Sequence, residues 1–467
     1  MALAYDITRL ITRVFNVTPN GIDRIDYALA EHFLNRADKE EFGVIAAGLR
    51  PELIACDAAF AAIEGIGTHW GETKEPEEDA GYRAVVAHLI GECGMRTTQG
   101  NAAARVVEGR SGRIRGVLRW IAKYGLPLGR PPRKHLPDFS CYLNVSQFPL
   151  WIPGYFEWLE ARPDIKSVFF IHDLLPLQLP QYFRPGEFAR HSRRMDNLAR
   201  FGTAALVTSE VVKADLAEHL QSLGRGDMPI FSAPIPAAAI FSEMPVLDSQ
   251  LASQPYFVCC GTLEPRKNHL MLLNVWRNLV RSGKEVPKLI LVGARGWDYD
   301  PIVELLNRSP ELRANVIEVS GLTSPALKRL LDNARALLMP SFAEGYGLPV
   351  REALAAGTPA VASDIPAFRE IADKKLQLIS PFDADAWLSA ILALAERSPG
   401  VSGSQVALQG KTAIEPSSLA PEDPTGAGLA RPHQAFSVGK ESSSDLSGHA
   451  GGWAAYFAKL DAFLGEI

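Results

Sequence analysis

Glu344 and Glu352 bracket a glycine-containing run, E-G-Y-G-L-P-V-R-E, inside the longer segment LMPSFAEGYGLPVREALAAGTPAVASDIP at 338–366. The segment reads as a strand ending near Met339, a turn holding Glu344, Gly345 and Gly347, and a helix from about Leu348 that carries Glu352. Glycines let a ligand approach the backbone closely. The free amides and positive dipole end of a helix N-terminus favour an anion. Phosphate chemistry is therefore expected at Gly345–Leu348, with a carboxylate on each side able to accept hydrogen bonds from vicinal hydroxyls. Either glutamate alone reads more simply as a helix cap or a surface ion pair; the pattern around them favours a site.

A second cluster lies in CGTLEPRKNH at 260–269. Arg266 and Lys267 follow the apolar run Tyr256–Cys260 and precede a helical pattern beginning near Leu270. Two adjacent cations on a loop at a strand's carboxyl end suit the neutralisation of a departing diphosphate. Asp298-Tyr299-Asp300 has the spacing of a metal–diphosphate pair but sits in what reads as a variable loop, so no metal ligand is expected there. Gly65-Ile66-Gly67 lacks the rest of a dinucleotide fingerprint. Ser209 reads as a helix cap rather than a nucleophile.

Alternating strands and helices must position these groups. From about residue 140 the apolar runs Ser140–Val145, Ser167–Ile171 and Ala204–Thr208 read as strands, followed by Tyr256–Cys260, Lys288–Val292, Val316–Val319, Ala336–Met339 and Ala360–Ala362. Helical patterns lie between them, among them Arg190–Arg200, His269–Val280 and Pro325–Asn333. Such alternation implies parallel sheets covered by helices. Ser324 and Pro325 read as an N-cap and first helical residue, and Gly357 as a helix end. The boundary between halves is expected near Pro234–Gln254. From Ser398 to Gly452 the composition turns to Gly, Ser, Pro, Thr and Ala, which predicts a mobile insertion. Trp453, Tyr456, Phe457, Leu460 and Phe463 then share a helical face.

The chain has 467 residues, 47% hydrophobic and 22% charged, an ordinary globular balance sufficient for two or three domains. A net charge of −5 disfavours a nucleic-acid partner. Five cysteines without a C-x-x-C pair predict reduced thiols and a cytoplasmic protein, not a disulfide scaffold or zinc site. The first residues lack a basic, then apolar, leader, and no apolar run is long enough to span a bilayer. Residues 105–134 carry nine Lys and Arg against Glu108 alone, interleaved with apolar residues including Trp120. This stretch reads either as a solvated helix face or as a docking surface for anionic lipid.

The set E-G-Y-G-L-P-V-R-E, G-T-L-E-P-R-K-N and A-G-T-P-A-V-A-S-D-I-P resembles the signatures of retaining GT-B glycosyltransferases of glycosyltransferase family 4, with its E-x7-E motif, over residues 255–375. N-G-I-D-R (Asn20 to Arg24) and H-D-L-L-P (His172 to Pro176) resemble members that build bacterial surface polysaccharides, mannosyltransferases among them. The resemblance implies two Rossmann-like domains facing across a cleft: an acceptor-binding domain at 1–240 and a nucleotide-sugar-binding domain at 250–397. The low-complexity insertion at 398–452 and a returning helix at 453–467 would follow.

It implies that Glu344 contacts the donor sugar and Glu352 the ribose hydroxyls. Amides of Gly345, Tyr346, Gly347 and Leu348 would hold the diphosphate, with Gly261 among the donor contacts. Arg266 and Lys267 would neutralise the phosphates; Thr262 stands where many such proteins carry Arg, which assigns that role to Arg266. His172 would lie at the cleft near the sugar, and Gly21 would form a tight turn beside the phosphates. The implied reaction is transfer of a sugar, GDP-mannose being the preferred donor, to a saccharide or lipid-linked acceptor hydroxyl with retention and without a metal cofactor. The rival readings are a nucleotide-sugar epimerase and a non-catalytic carbohydrate-binding or scaffold protein on the same fold.

Overall fold

The computed structural model describes residues 1–13, 18–36, 40–47, 50–71, 74–91, 120, 123, 129–252, 254–283, 285–371, 373–396 and 452–467. The insertion at 398–452 (but for Gly452) and most of the basic stretch at 105–134 lie outside the described residues.

Thirteen strands among the described residues form two sheets. The first contains β1 (Leu3–Asp6), β2 (Glu41–Ala47), β3 (Arg50–Ala55), β4 (Cys141–Asn144), β5 (Lys166–Phe170), β6 (Ala204–Val207) and β7 (Ile230–Ser232), in the order 3-2-1-4-5-6-7. Its neighbours run parallel except β3, which pairs antiparallel with β2. The second contains β8 (Tyr256–Cys260), β9 (Lys288–Val292), β10 (Val316–Val319), β11 (Ala336–Met339), β12 (Ala360–Ser363) and β13 (Leu376–Ile379). All its pairs are parallel, in the order 10-9-8-11-12-13. Two parallel-sheet α/β layers of the expected Rossmann-like kind result.

Strand order reverses between β8 and β11. Crevices for ligands open outside the carboxyl ends of strands at such a reversal. The loops carrying Arg266–Lys267 and Glu344 follow these two neighbouring strands, so the topology alone brings the two sequence clusters together.

The helices used below are α1 (Gly21–Leu34), α2 (Cys56–Trp70), α3 (Ala80–Leu89), α4 (Glu187–Phe201), α5 (Glu210–Ser222), α6 (His269–Arg281), α7 (Asp300–Arg308), α8 (Ser324–Asn333), α9 (Leu348–Ala355), α10 (Ala384–Ala395) and α11 (Gly452–Glu466). On one face of the second sheet α8 and α9 pack over Val258, Leu337 and Ala360, with Leu330 and Val350 in that core. On the other, α6, α7 and α10 bury Trp276, Ile302 and Ile391 against Phe257 and Leu338. Thr323, not Ser324, caps α8; its side chain accepts from the Ala326 amide, and Pro325 takes the second helical position. Gly357 stands at φ +81° just past α9, and Ser209 caps α5, as read from the sequence. Gly65–Gly67 lies inside α2, where Gly67 faces Tyr27.

Two segments depart from a simple division of the chain into halves. Helix α3 comes early in the sequence, yet Tyr82, Val85 and Leu89 are buried in the core of the second sheet, next to β10. Asp79 holds it there: Oδ1 accepts from the Gly81 amide at 2.8 Å, and Oδ2 from the Thr323 amide at 2.9 Å. Helix α11 makes the opposite crossing. Tyr456, Leu460 and Leu464 join the core of the first sheet, and Arg36 reaches Asp461 at 2.5 Å.

Candidate active site

The loop after β11 presents Glu344 to both cations of the loop after β8. Lys267 Nζ lies 2.6 Å from Glu344 Oε1, and Arg266 Nη1 2.9 Å from Oε2. The Arg266 fork also donates to Glu264 Oε1 at 2.7 Å and to the Ala343 carbonyl at 2.5 Å. Burial alone would raise the Glu344 carboxyl, but Arg266 and then Lys267 pull it down to about 2. The same carboxylates hold the Arg266 guanidinium above its ordinary range against the opposing effect of burial. Glu344 is therefore an anion fixed between two cations. Arg266 is largely committed to protein partners, whereas Lys267 has one carboxylate contact for three donor protons.

Helix α9 starts behind this cluster. Among the described residues the backbone amides of Gly345, Tyr346, Gly347 and Leu348 donate no hydrogen bond; the last two are the N-cap and first residue of α9, where unpaired amides favour an anion. Gly347 stands at φ +93°, and a Cβ on it would come 2.5 Å from the Phe368 ring. Gly345 is needed for a different reason: a Cβ there would lie 2.8 Å from both the His172 carbonyl oxygen and Asp173 Cβ. Gly261, at φ +145°, lets the chain pass over the Lys267 stem, whose Cε would be 3.1 Å from a Cβ. Tyr346 offers the site its amide alone, since its hydroxyl is buried and donates to the Ile235 carbonyl at 2.6 Å.

The first sheet supplies the opposite wall. His172, after β5, is 8% exposed; its Nε2 lies 2.9 Å from the Val145 carbonyl and its ring stacks on Phe170. Burial, then the charge of Arg9, lowers its pKa to about 3. His172 is thus a neutral imidazole with Nε2 bound to a carbonyl, suited to hydrogen bonding and not to proton transfer near neutrality. Asp173 beside it is raised by burial, against the pull of Arg266. Ser209 Oγ donates to the Gly345 carbonyl at 3.3 Å, and Glu370 accepts from the amides of Glu210 and Val211 at the start of α5.

Glu352 lies one turn inside α9, 2% exposed, and meets Arg24 of α1 at 2.6 Å. It lines a cavity of about 620 Å³ with Arg24, Leu348 and Ser324. That volume is within the about 300–1,000 Å³ usual for small-molecule sites. Ser324 is 1% exposed, and its hydroxyl has no hydrogen-bond partner among the described residues. Gly21 corrects an expectation. It is no tight turn but the first residue of α1, capped by Asn20 and Asp23 in a reciprocal capping box, with Leu348 Cδ2 at 3.5 Å from its would-be Cβ. Asp300 opens α7, and among the described residues no group of three or more His, Cys, Asp or Glu is placed to hold a metal.

Arg24, Asp173, Ser209 and Glu370 complete the walls of this crevice; sequence reasoning assigned Ser209 only a capping role and the other three none. Arg24 and Asp173 at least stand inside the N-G-I-D-R and H-D-L-L-P runs.

Residues 254–397 match the family profile described as Glycosyl transferases group 1. A serotype-specific mannosyltransferase, WbdA of Escherichia coli, is 31% identical over 221 residues, 44% of this chain and 27% of that protein. The O-antigen chain mannosyltransferase B of Escherichia coli is 37% identical over 151 residues, 32% of this chain and 39% of that one. The matches thus span well under half of the length of these relatives. Anabaena HepE, in its crystal structure with UDP and glucose, aligns with a TM-score of 0.52 at 15% identity over 85% of this chain and 90% of its own. Sucrose-phosphate synthase from Thermosynechococcus elongatus aligns at 0.50, with 17% identity over 84% and 89%. The chain therefore has the two-sheet GT-B fold, and its residues 254–397 form a glycosyl transferases group 1 domain.

Proposed function

We propose that the chain is a retaining hexosyltransferase that moves mannose from GDP-mannose to a hydroxyl of a saccharide or lipid-linked acceptor in polysaccharide assembly, at the cytoplasmic face of a membrane. The observation that carries the reading is the junction of Glu344, Arg266 and Lys267 with the unpaired amides of Gly345, Tyr346, Gly347 and Leu348. The diphosphate would lie on those amides, with Lys267 reaching it. Glu344, held as an anion by Arg266, would accept hydrogen bonds from sugar hydroxyls. The nucleoside would enter the cavity beside Glu352, sharing that carboxylate with Arg24.

In the reaction the bond from the anomeric carbon to the diphosphate oxygen breaks as the acceptor oxygen bonds to the same face. The acceptor proton passes to the departing phosphate, so no side chain need change its protonation. Lys267 and the amides stabilise the charge gathering on the leaving group. Mannose is supported by the similarity to two Escherichia coli mannosyltransferases, and GDP by the common pairing of that sugar with guanosine diphosphate.

The test is transfer of radiolabelled mannose from GDP-mannose to a mannose-terminated acceptor, with and without EDTA. Transfer that survives EDTA and falls about 10²–10³-fold in Lys267→Ala is expected, by comparison with the loss of one charge-stabilising donor elsewhere. Unchanged turnover in Lys267→Ala overturns the site. Loss with EDTA, restored by manganese, overturns the metal-free mechanism.

A further inference from the structure

The cavity beside Glu352 opens on the side of the second sheet covered by α8 and α9. The loops toward the other side, covered by α6, α7 and α10, carry a different chemistry. Trp297 precedes α7, Phe342 follows β11 and Phe382 precedes α10. Tyr182 and Phe183 reach them from the first half of the chain. The Tyr182 ring lies almost parallel to Phe342, with centroids 5.6 Å apart and planes at 12°, and Phe342 meets Phe382 at 5.3 Å. Phe183 stacks on Trp297 at 6.1 Å, and the Trp297 indole N–H donates to the Tyr182 carbonyl at 2.8 Å. Phe382 ends the row 81% exposed.

This row is continuous with the candidate active site. The Phe342 amide donates to the Arg266 carbonyl at 2.9 Å, and Glu344 lies two residues further along the same loop. Single exposed apolar side chains are ordinary on a protein surface; Phe382 differs in being the exposed end of a row of half-buried aromatic rings that runs to the Glu344 loop. Its chemistry selects an occupant. A pyranose ring has one face of C–H groups and a rim of hydroxyls. The C–H face meets the electron-rich face of an aromatic ring, while the hydroxyls stay in water. The exposed Arg184, whose guanidinium lies 5.3 Å over Trp297, borders the row with a donor for such hydroxyls.

We propose that Phe382, backed by Phe342, forms a platform for the acceptor: a saccharide whose terminal sugar is presented at Glu344 lays a preceding sugar across this exposed ring. The proposal rests on the glycosyltransferase reading and adds to it that the acceptor is an oligosaccharide of more than one sugar. Nucleotide and acceptor then approach Glu344 from opposite sides of the sheet.

The experiment is calorimetric titration of the full chain, as wild type, Phe382→Ala and Phe382→Trp, with α-linked mannotetraose, methyl α-mannoside and GDP. Phe382 packs only at the surface, so neither substitution disturbs the core. Mannotetraose is expected to bind wild type at least 10-fold more tightly than methyl mannoside does. Phe382→Ala should lose that advantage, Phe382→Trp should keep it, and GDP affinity should be the same in all three. Equal mannotetraose affinity in Phe382→Ala and wild type overturns the platform, as does its absence in a wild type that binds GDP. Sedimentation with phosphatidylcholine vesicles that is lost in Phe382→Ala, without saccharide binding, also overturns it and assigns the face to lipid. A protein that binds mannotetraose through Phe382 but neither binds GDP nor transfers mannose keeps the platform and defeats the transferase reading.

Discussion

His172 shows how a residue recognised in the sequence takes its properties from distant neighbours. Burial and Arg9 lower its pKa to about 3, whereas a histidine in an unfolded chain titrates near 6.5. Between those values the unfolded chain binds a proton that the native protein does not. The stability this neutral histidine contributes is present above about pH 6.5 and is lost as pH falls toward 3. His172→Gln should therefore lower turnover by a similar factor throughout pH 5.5–8, because no His172 titration occurs there in the folded protein. It should also lose less stability than wild type on acidification from pH 7 to pH 5. A pH–rate limb near 6.5 that disappears in the variant would falsify the neutral assignment. The sequence singled out Glu344, Arg266, Lys267 and Glu352 by type and spacing, and the fold brings the first three into contact. Sequence alone could not show that Glu352 meets Arg24, 328 positions away, or that Arg266 is occupied by Glu264 and Ala343. Such pairings belong to the folded chain.

At the scale of elements, the strands of the second sheet were legible and those at the start of the first were not. Residues 256–260 and 336–339 are fully buried apolar runs, as parallel strands covered on both faces must be. β1, by contrast, is four residues ending in Asp6, whose buried carboxylate is satisfied by the Tyr142 hydroxyl at 2.5 Å and the Thr8 amide at 2.9 Å. β3 is an antiparallel edge strand beginning Arg-Pro-Glu, a pattern that hides strand character. The turn between β11 and α9 gives the sharpest test at this level. Gly347→Ala places a Cβ at a left-handed φ and against Phe368, so a loss of about 1–3 kcal/mol from backbone strain alone is expected. Because the turn orients the open amides, GDP binding should weaken too. Thermal denaturation and GDP titration of the variant measure both, and wild-type values in either would show that the turn is not constrained as described.

For the whole molecule, the two sheets share structure beyond the linker. Tyr82, Val85 and Leu89 of α3 lie in the second core, and Tyr456, Leu460 and Leu464 of α11 in the first. Arg24–Glu352 and the Glu370 contacts to α5 add polar ties across the cleft. Leu89 is 3% exposed, so Leu89→Ala should destabilise by about 2–5 kcal/mol, as buried leucine truncations do. Since the helix is covalently part of the first half but packed in the second, the loss should lower one common thermal transition rather than split off a separate one. Calorimetry of wild type and variant distinguishes these outcomes; two resolved transitions in the wild type would show that the halves melt independently.

The placement of α3 also sets a timetable for synthesis. Asp79 emerges from the ribosome 244 residues before Thr323, the residue whose amide it accepts. At about 5–20 residues per second, this leaves the apolar face of α3 without its native partners for roughly 12–50 s. The first sheet can assemble in that interval, but α3 must wait outside it until β10 and α8 have been made. A nascent chain in this state exposes Tyr82, Val85 and Leu89 together, the kind of transient apolar surface that favours association with other chains.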